Sequence, residues 1–166
     1  SNGISIYSES SNILISGNRI LNVNSPLTYE ASSDLTFTNN IIAPSGQVSD
    51  WFGMSGTVAF YHNVFLGSNF SISSSPNYIF KNNILAQTPP GAHSYNIFVK
   101  SVGNLQAGEQ VVTDLNRLFV NPAALDFSLK IDSPALDAGT LVPVGADISG
   151  TARPLGAGFD IGAYEF

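Results

Sequence analysis

The sequence predicts an all-β chain whose short strands wind into a parallel β-helix, closed by an irregular C-terminal region. Three observations carry this. A hydrophobic frame holding an asparagine recurs four times, as ILISGNRI from Ile13, LTFTNNII from Leu35, VAFYHNVF from Val58 and YIFKNNIL from Tyr78. The asparagines, Asn18, Asn40, Asn63 and Asn83, lie 22, 23 and 20 residues apart. At such a period each repeat is one unit that cannot bury its apolar side until neighbours stack on it. Within the frames apolar residues alternate at period two, the signature of strands, and no heptad or long helical pattern interrupts them.

The elements follow in order. Ile13 and Ile15, Leu35 and Phe37, Val58 and Phe60, and Tyr78 and Phe80 stand five and three places before the asparagine, so alternation sends them inward. Two places after it, Ile20, Ile42, Phe65 and Leu85 point inward again across a bend. A third strand precedes each frame, at Ile4 and Ile6, Leu27 and Tyr29, the region of Phe52, and Phe70 and Ile72. Three strands per repeat give a solenoid with three faces. The asparagine then has a structural task. Its amide offers two donors and an acceptor, so stacked copies bond one another and the turn backbone. This reading makes Asn18, Asn40, Asn63 and Asn83 a ladder rather than catalytic groups. A last, irregular coil runs through Tyr95-Asn96-Ile97-Phe98 after the break at Pro89-Pro90-Gly91. Residues 1–101 are thus read as coils, and 102–166 as the C-terminal cap of the same domain.

Composition bounds the partners. The 166 residues are 43% hydrophobic, enough for one core, and only 11% charged against the roughly 25% of an average soluble protein. Asn, Ser, Thr and Gly supply the polarity instead. Five of the six net negative charges lie after Ser101, where eight acids face three basic residues. That balance argues against nucleic acid and anionic lipid, which need clustered Lys and Arg. No apolar run reaches the length of a membrane span, so no membrane insertion is expected. Without cysteine there is neither disulfide nor thiolate metal site.

The closing string resembles the choice-of-anchor Q type of C-terminal region found in bacterial secreted right-handed parallel β-helix proteins of the pectin-lyase-like superfamily. The residues that carry the resemblance are Phe119, Val120, Leu129, Ser133 to Gly139, Asp147 to Gly150, Arg153, Pro154 and Asp160 to Glu165. The resemblance implies a right-handed solenoid, a secreted or cell-surface location, and a polysaccharide or other glycan as partner. The family has more coils and an N-terminal cap, so the expected function is that of a C-terminal portion of a carbohydrate-active protein without a complete active site. Two alternatives stand beside it: a polysaccharide lyase or glycoside hydrolase with catalysis on these coils, and a structural adhesin or stalk segment.

Lyase chemistry on a uronate needs a base and a cation. The cations at outward positions are Lys81 and Arg19, three coils apart and therefore about 14 Å along the axis, too far for one sugar. His62 holds the place of Gly17, Asn39 and Asn82 in the other frames and is a turn residue or a base. Glu30 and Asp50, in adjacent coils, are the candidates for a hydrolytic carboxylate pair. Trp51, Tyr61 and Tyr7 are the candidates for stacking on sugar rings. In the cap, Asp137, Asp147, Asp160 and Glu165 surround Arg153, which is expected to form a bidentate pair with one of them. No cofactor is expected, a calcium ion among those acids being the minor alternative. The first strand, Ile4 to Tyr7, presents an open edge, so self-association through the first coil is expected.

Overall fold

The computed structural model describes residues 2–7, 10–30, 33–43, 48–50, 55–67, 70–71 and 76–166, with side chains left out at 2 and 48–50. Among them almost every regular element is a strand, and three of the four sheets are parallel. The first sheet is β1 (Asn2–Ile6), β4 (Ser25–Tyr29), β7 (Val48–Asp50) and β10 (Phe70–Ser71). The second runs β2 (Ser11–Ser16), β5 (Ser33–Thr38), β8 (Ser55–Tyr61), β11 (Asn77–Lys81) and β13 (Ala92–Ser94). The third comprises β3 (Arg19–Ile20), β6 (Ile41–Ile42), β9 (Val64–Phe65), β12 (Ile84–Leu85), β14 (Ile97–Phe98) and β15 (Gln110–Val111).

The chain visits the three sheets in turn, and each strand pairs with its counterpart one repeat away. Ile15, Phe37 and Phe60 are register partners, as are Phe60 and Phe80. The inward positions meet in one core, where Phe37, Phe60 and Phe80 stack with ring centroids 4.7 and 4.4 Å apart. Ile42, Phe65, Leu85 and Phe98 join it from the third sheet. In the first sheet Val48–Asp50 stands in register with Leu27 to Tyr29; Phe52 and Ile72, both named from the sequence, lie outside the described residues. Among the described residues the first sheet has four strands, the second five and the third six.

The region after Val102 does more than close an end. It lies along the outer face of the third sheet, where Ile41, Val64, Ile84 and Ile97 are fully buried against Leu118, Phe119, Phe127, Leu129, Ala135 and Ile161. An antiparallel hairpin of β16 (Phe119–Asn121) and β17 (Asp126–Leu129) supplies part of this cover. Its contacts reach the first repeat, where Arg19 donates to the Tyr164 hydroxyl (3.0 Å) and the Leu125 carbonyl (2.8 Å), and the last, where the Gln110 amide donates to the Pro134 carbonyl (2.9 Å). The four inner strands of the third sheet, β6, β9, β12 and β14, are therefore apolar and buried at both consecutive positions because both of their faces are covered.

Candidate functional site

Four kinds of polar arrangement are built on this frame. The first is the asparagine column. The amide nitrogen of Asn18 donates to Asn40 Oδ1 (2.9 Å), Asn40 to Asn63 (3.0 Å), Asn63 to Asn83 (3.0 Å) and Asn83 to Asn96 (3.1 Å). Each Oδ1 also takes the backbone N–H of the preceding asparagine, and each Nδ2 from Asn40 onward bonds a strand carbonyl one repeat back. Asn96 is a fifth member, and Glu109 ends the series. Its Oε1 accepts from Asn96 Nδ2 (3.0 Å) and pairs with His93 Nδ1 (2.8 Å), while its Oε2 accepts from the Gln106 N–H (2.7 Å). These buried groups satisfy one another, which is a role in stability.

The second arrangement is the residue just before each asparagine. Gly17, Asn39, His62, Asn82 and Tyr95 all have φ between 53° and 70°, the left-handed region that Gly and Asn tolerate best. These turns receive the C-terminal region. Asn82 Nδ2 donates to the Thr140 carbonyl (2.6 Å) and to His62 Nε2 (3.1 Å), and Asn39 Nδ2 donates to the Ala146 carbonyl (2.8 Å). Since Nε2 accepts, the His62 proton sits on Nδ1. Among the described residues no partner there meets hydrogen-bond geometry, although the carbonyls of Asp160 and Gly162 lie near enough to favour a proton. His62 is fully buried, and burial, reinforced by the Arg153 charge, lowers its pKa to about 3. The imidazole is thus neutral and buried, a turn residue at φ 55° rather than a base open to a substrate.

Behind His62 lies the acid-rich set around Arg153. Arg153 meets Glu165 through a single guanidinium nitrogen, Nη1, while Nη2 donates to the Gly162 carbonyl (2.9 Å) and to Asn39 Oδ1 (3.3 Å). The expected bidentate pair is corrected: the second nitrogen is taken by the turn column. The acids serve as backbone acceptors. Asp160 takes the N–H groups of Asp137 and Phe166 (both 2.7 Å), Glu165 those of Leu155 (3.0 Å) and Asp160 (3.2 Å), and Asp147 those of Ser149, Thr151 and Glu165. Asp137 Oδ1 accepts from the Gly158 N–H (2.6 Å). Burial raises the pKa of Asp160 and Glu165 and lowers that of Arg153. Among the described residues no group of three or more His, Asp or Glu side chains is placed to hold a metal ion.

The third arrangement is on the second sheet away from the core, where Ser16 is exposed, Tyr61, Lys81 and Ser94 are half-buried, and Thr38 is buried. Two residues before each asparagine, Ser16, Thr38, Tyr61, Lys81 and Ser94 are register partners along the outer face of the second sheet, roughly 4.8 Å apart from strand to strand. Thr38 Oγ1 donates to Ser16 Oγ (2.8 Å). Tyr61 is half-buried and its pKa is raised by that burial, so the phenol stays protonated and donates rather than acting as a base. Lys81 is adjacent, and its ammonium has no hydrogen bond among the described residues. Arg19 is elsewhere, on the third sheet and held by the C-terminal region. The fourth arrangement is a depression beside this row, taken up below.

Tyr7 is exposed at the end of β1, on the first sheet, away from Tyr61 on the second. Trp51 lies outside the described residues, as does the side chain of Asp50. Asp50 pairs with Tyr29, one residue before half-buried Glu30, which places the two acids on neighbouring strands. Asn96, His93 and Glu109 were missed by sequence. The last repeat drops its first-sheet strand, so Asn96 follows Asn83 by 13 residues instead of about twenty. The outward row had a readable signal, since a polar residue precedes all four asparagines by two places. No protein-family model matches this chain, and no curated protein matches it as a relative.

Proposed function

We propose that the three parallel sheets are the faces of a right-handed parallel β-helix. The chain is then the C-terminal portion of a secreted bacterial carbohydrate-active protein, contacting glycan without a complete active site of its own. The observation that carries this is the row Ser16, Tyr61, Lys81 and Ser94, with buried Thr38 bonded to Ser16 between them, a line of hydroxyls, one phenol and one ammonium at strand spacing. Such a line suits an extended, hydroxyl-bearing polymer, because donors and acceptors recur along one axis. The non-catalytic part of the reading is supported by the fate of the candidate groups: His62 is buried and neutral, Tyr61 stays protonated, and Arg19 is held by the closing region. Export rests on the resemblance of the closing string.

The test is retention of the chain on a panel of pectin, alginate and neutral glycans, with absorbance of unsaturated products and new reducing ends followed in parallel. Retention without turnover is expected, and Tyr61→Ala should weaken it by about 1 kcal/mol, several-fold in affinity. Robust turnover would overturn the non-catalytic reading, and absence of retention on every glycan would overturn glycan contact in favour of a stalk.

A further inference from the structure

After Gly139 the chain crosses the outer face of the second sheet. Both ends of the crossing are fixed to turn residues of the repeats. Thr140 exchanges two hydrogen bonds with the Asn82 amide (2.9 and 2.6 Å), and the Ala146 carbonyl accepts from Asn39 (2.8 Å). The Arg153 N–H donates to the Gly145 carbonyl (3.0 Å). Between them a bond from the Val144 N–H to the Val142 carbonyl (2.8 Å) makes a tight turn, with Val142 and Val144 buried and Pro143 exposed at its tip. The crossing is a fixed wall.

Against this wall lie two depressions of about 420 and 320 Å³ that share Leu14, Thr36 and Pro143 and so form one trough. Its chemistry is specific. Leu14 occupies an outward strand position, where alternation calls for a polar residue, yet is 63% exposed; with Pro143 it offers an aliphatic surface for the C–H face of a sugar. Half-buried Thr36 and exposed Ser16 supply hydroxyls, while the buried Thr38 hydroxyl is spent on Ser16 (2.8 Å). Asp34 is exposed; its Oδ1 takes the Thr57 N–H (3.0 Å), and its Oδ2 has no hydrogen bond among the described residues. The other acid, Asp147, is buried with both oxygens engaged. Among the described residues no Lys or Arg lines the trough; Lys81 stands two strands beyond Thr38, roughly 10 Å away.

We infer that this trough binds an uncharged glycan chain and disfavours polyuronates; the inference rests on the glycan-contact reading above and names its ligand class. A uronate carboxylate would meet Asp34 with no cation to offset it, whereas neutral hydroxyls find an acceptor in Asp34 Oδ2 and donors in Thr36 and Ser16. Leu14 and Ser16 on β2 and Thr36 beside them on β5 form the floor, with Pro143 on the wall, so an apolar and a hydroxyl-bearing surface meet in one groove, which suits a ring with one apolar face.

The experiment is affinity electrophoresis of the full chain in gels containing soluble β-glucan, xylan, polygalacturonate or chitosan. The variants Leu14→Asp and Tyr61→Ala are run alongside, with thermal melts showing that both remain folded. Retardation by neutral glycan, little by polygalacturonate, and a loss of about tenfold in Leu14→Asp are expected. Preferential retardation by polygalacturonate, or by chitosan alone, would overturn the ligand class. Neutral-glycan binding that survives Leu14→Asp but is lost in Tyr61→Ala would overturn the trough and leave glycan contact by the row standing. No retardation by any glycan would defeat both.

Discussion

His62 makes this chain acid-labile in a way that one substitution isolates. Folded, its pKa is about 3, lowered by burial and then by Arg153. Unfolded, an imidazole titrates near 6.5, as model peptides do. Between those values the unfolded chain binds the extra proton, so stability falls as pH falls from about 6.5 to about 3. The full shift corresponds to about 5 kcal/mol; about 2 kcal/mol of it is lost by pH 5 and about 3 by pH 4. Asp160 and Glu165 act in the opposite sense. Their folded pKa values are raised by burial, so acidification through their titration relieves a cost already present at neutral pH. His62→Asn separates the two, because asparagine holds the same left-handed turn at residues 39 and 82 and its amide oxygen can accept from Asn82. Urea unfolding of both proteins at pH 7.5, 6, 5 and 4 is the assay. The variant should carry a fixed packing cost at all pH values, and the gap should close or reverse by about 2 kcal/mol on going to pH 5. Two stability curves that stay parallel from pH 7.5 to 4 would refute a buried, neutral His62.

Further expectations follow from the same contacts. Asn63→Ala leaves the Asn40 amide, the Phe37 carbonyl and Asn83 Oδ1 short of a partner, so chemical unfolding should show a loss of about 3 kcal/mol, and an unchanged midpoint would contradict the column. Arg153→Met strands buried Glu165 and should cost about 3–5 kcal/mol, with Arg153→Met/Glu165→Met costing less than the sum of the two single changes. Gly91→Ala places a methyl group 2.7 Å from Tyr78 Cβ at φ 82°, and a calorimetric loss below about 1 kcal/mol would argue against that close approach. Phe60→Ala removes the central ring of the aromatic stack and should lower stability by about 3–5 kcal/mol, read from the denaturation midpoint.

Much of the frame was legible because its signals are local and repeated. Ile15, Phe37, Phe60 and Phe80 announce their inward direction by alternation, and Asn18, Asn40, Asn63 and Asn83 announce a shared environment by spacing. What failed to show was set by contacts distant in sequence. Glu109 reads as an ordinary loop acid until Asn96 and His93 are brought to it. Ile41, Val64, Ile84 and Ile97 gave no hint that their outward side would be covered, since a two-residue strand has no alternation to read. The strand at Val48–Asp50 is set by register with Leu27 to Tyr29, which Val48-Ser49-Asp50 does not announce by itself. Of the outward row, Tyr61 and Lys81 stand out by their chemistry, whereas Ser16 and Thr38 carry no signal beyond alternation. The wall at 140–147 was invisible, because nothing in Leu141-Val142-Pro143-Val144 indicates which face it will cross.

The most direct measurement of the central claim is an amide-resolved NMR titration of the intact chain with a neutral oligosaccharide. Glycan contact by the outer face of the second sheet predicts shift changes gathered on Ser16, Asp34, Thr36, Thr38, Tyr61 and Lys81 and on the Pro143 turn, with the saccharide recovered intact. Changes confined to the first sheet, an absence of change at saturating saccharide, or the appearance of cleaved product would contradict it.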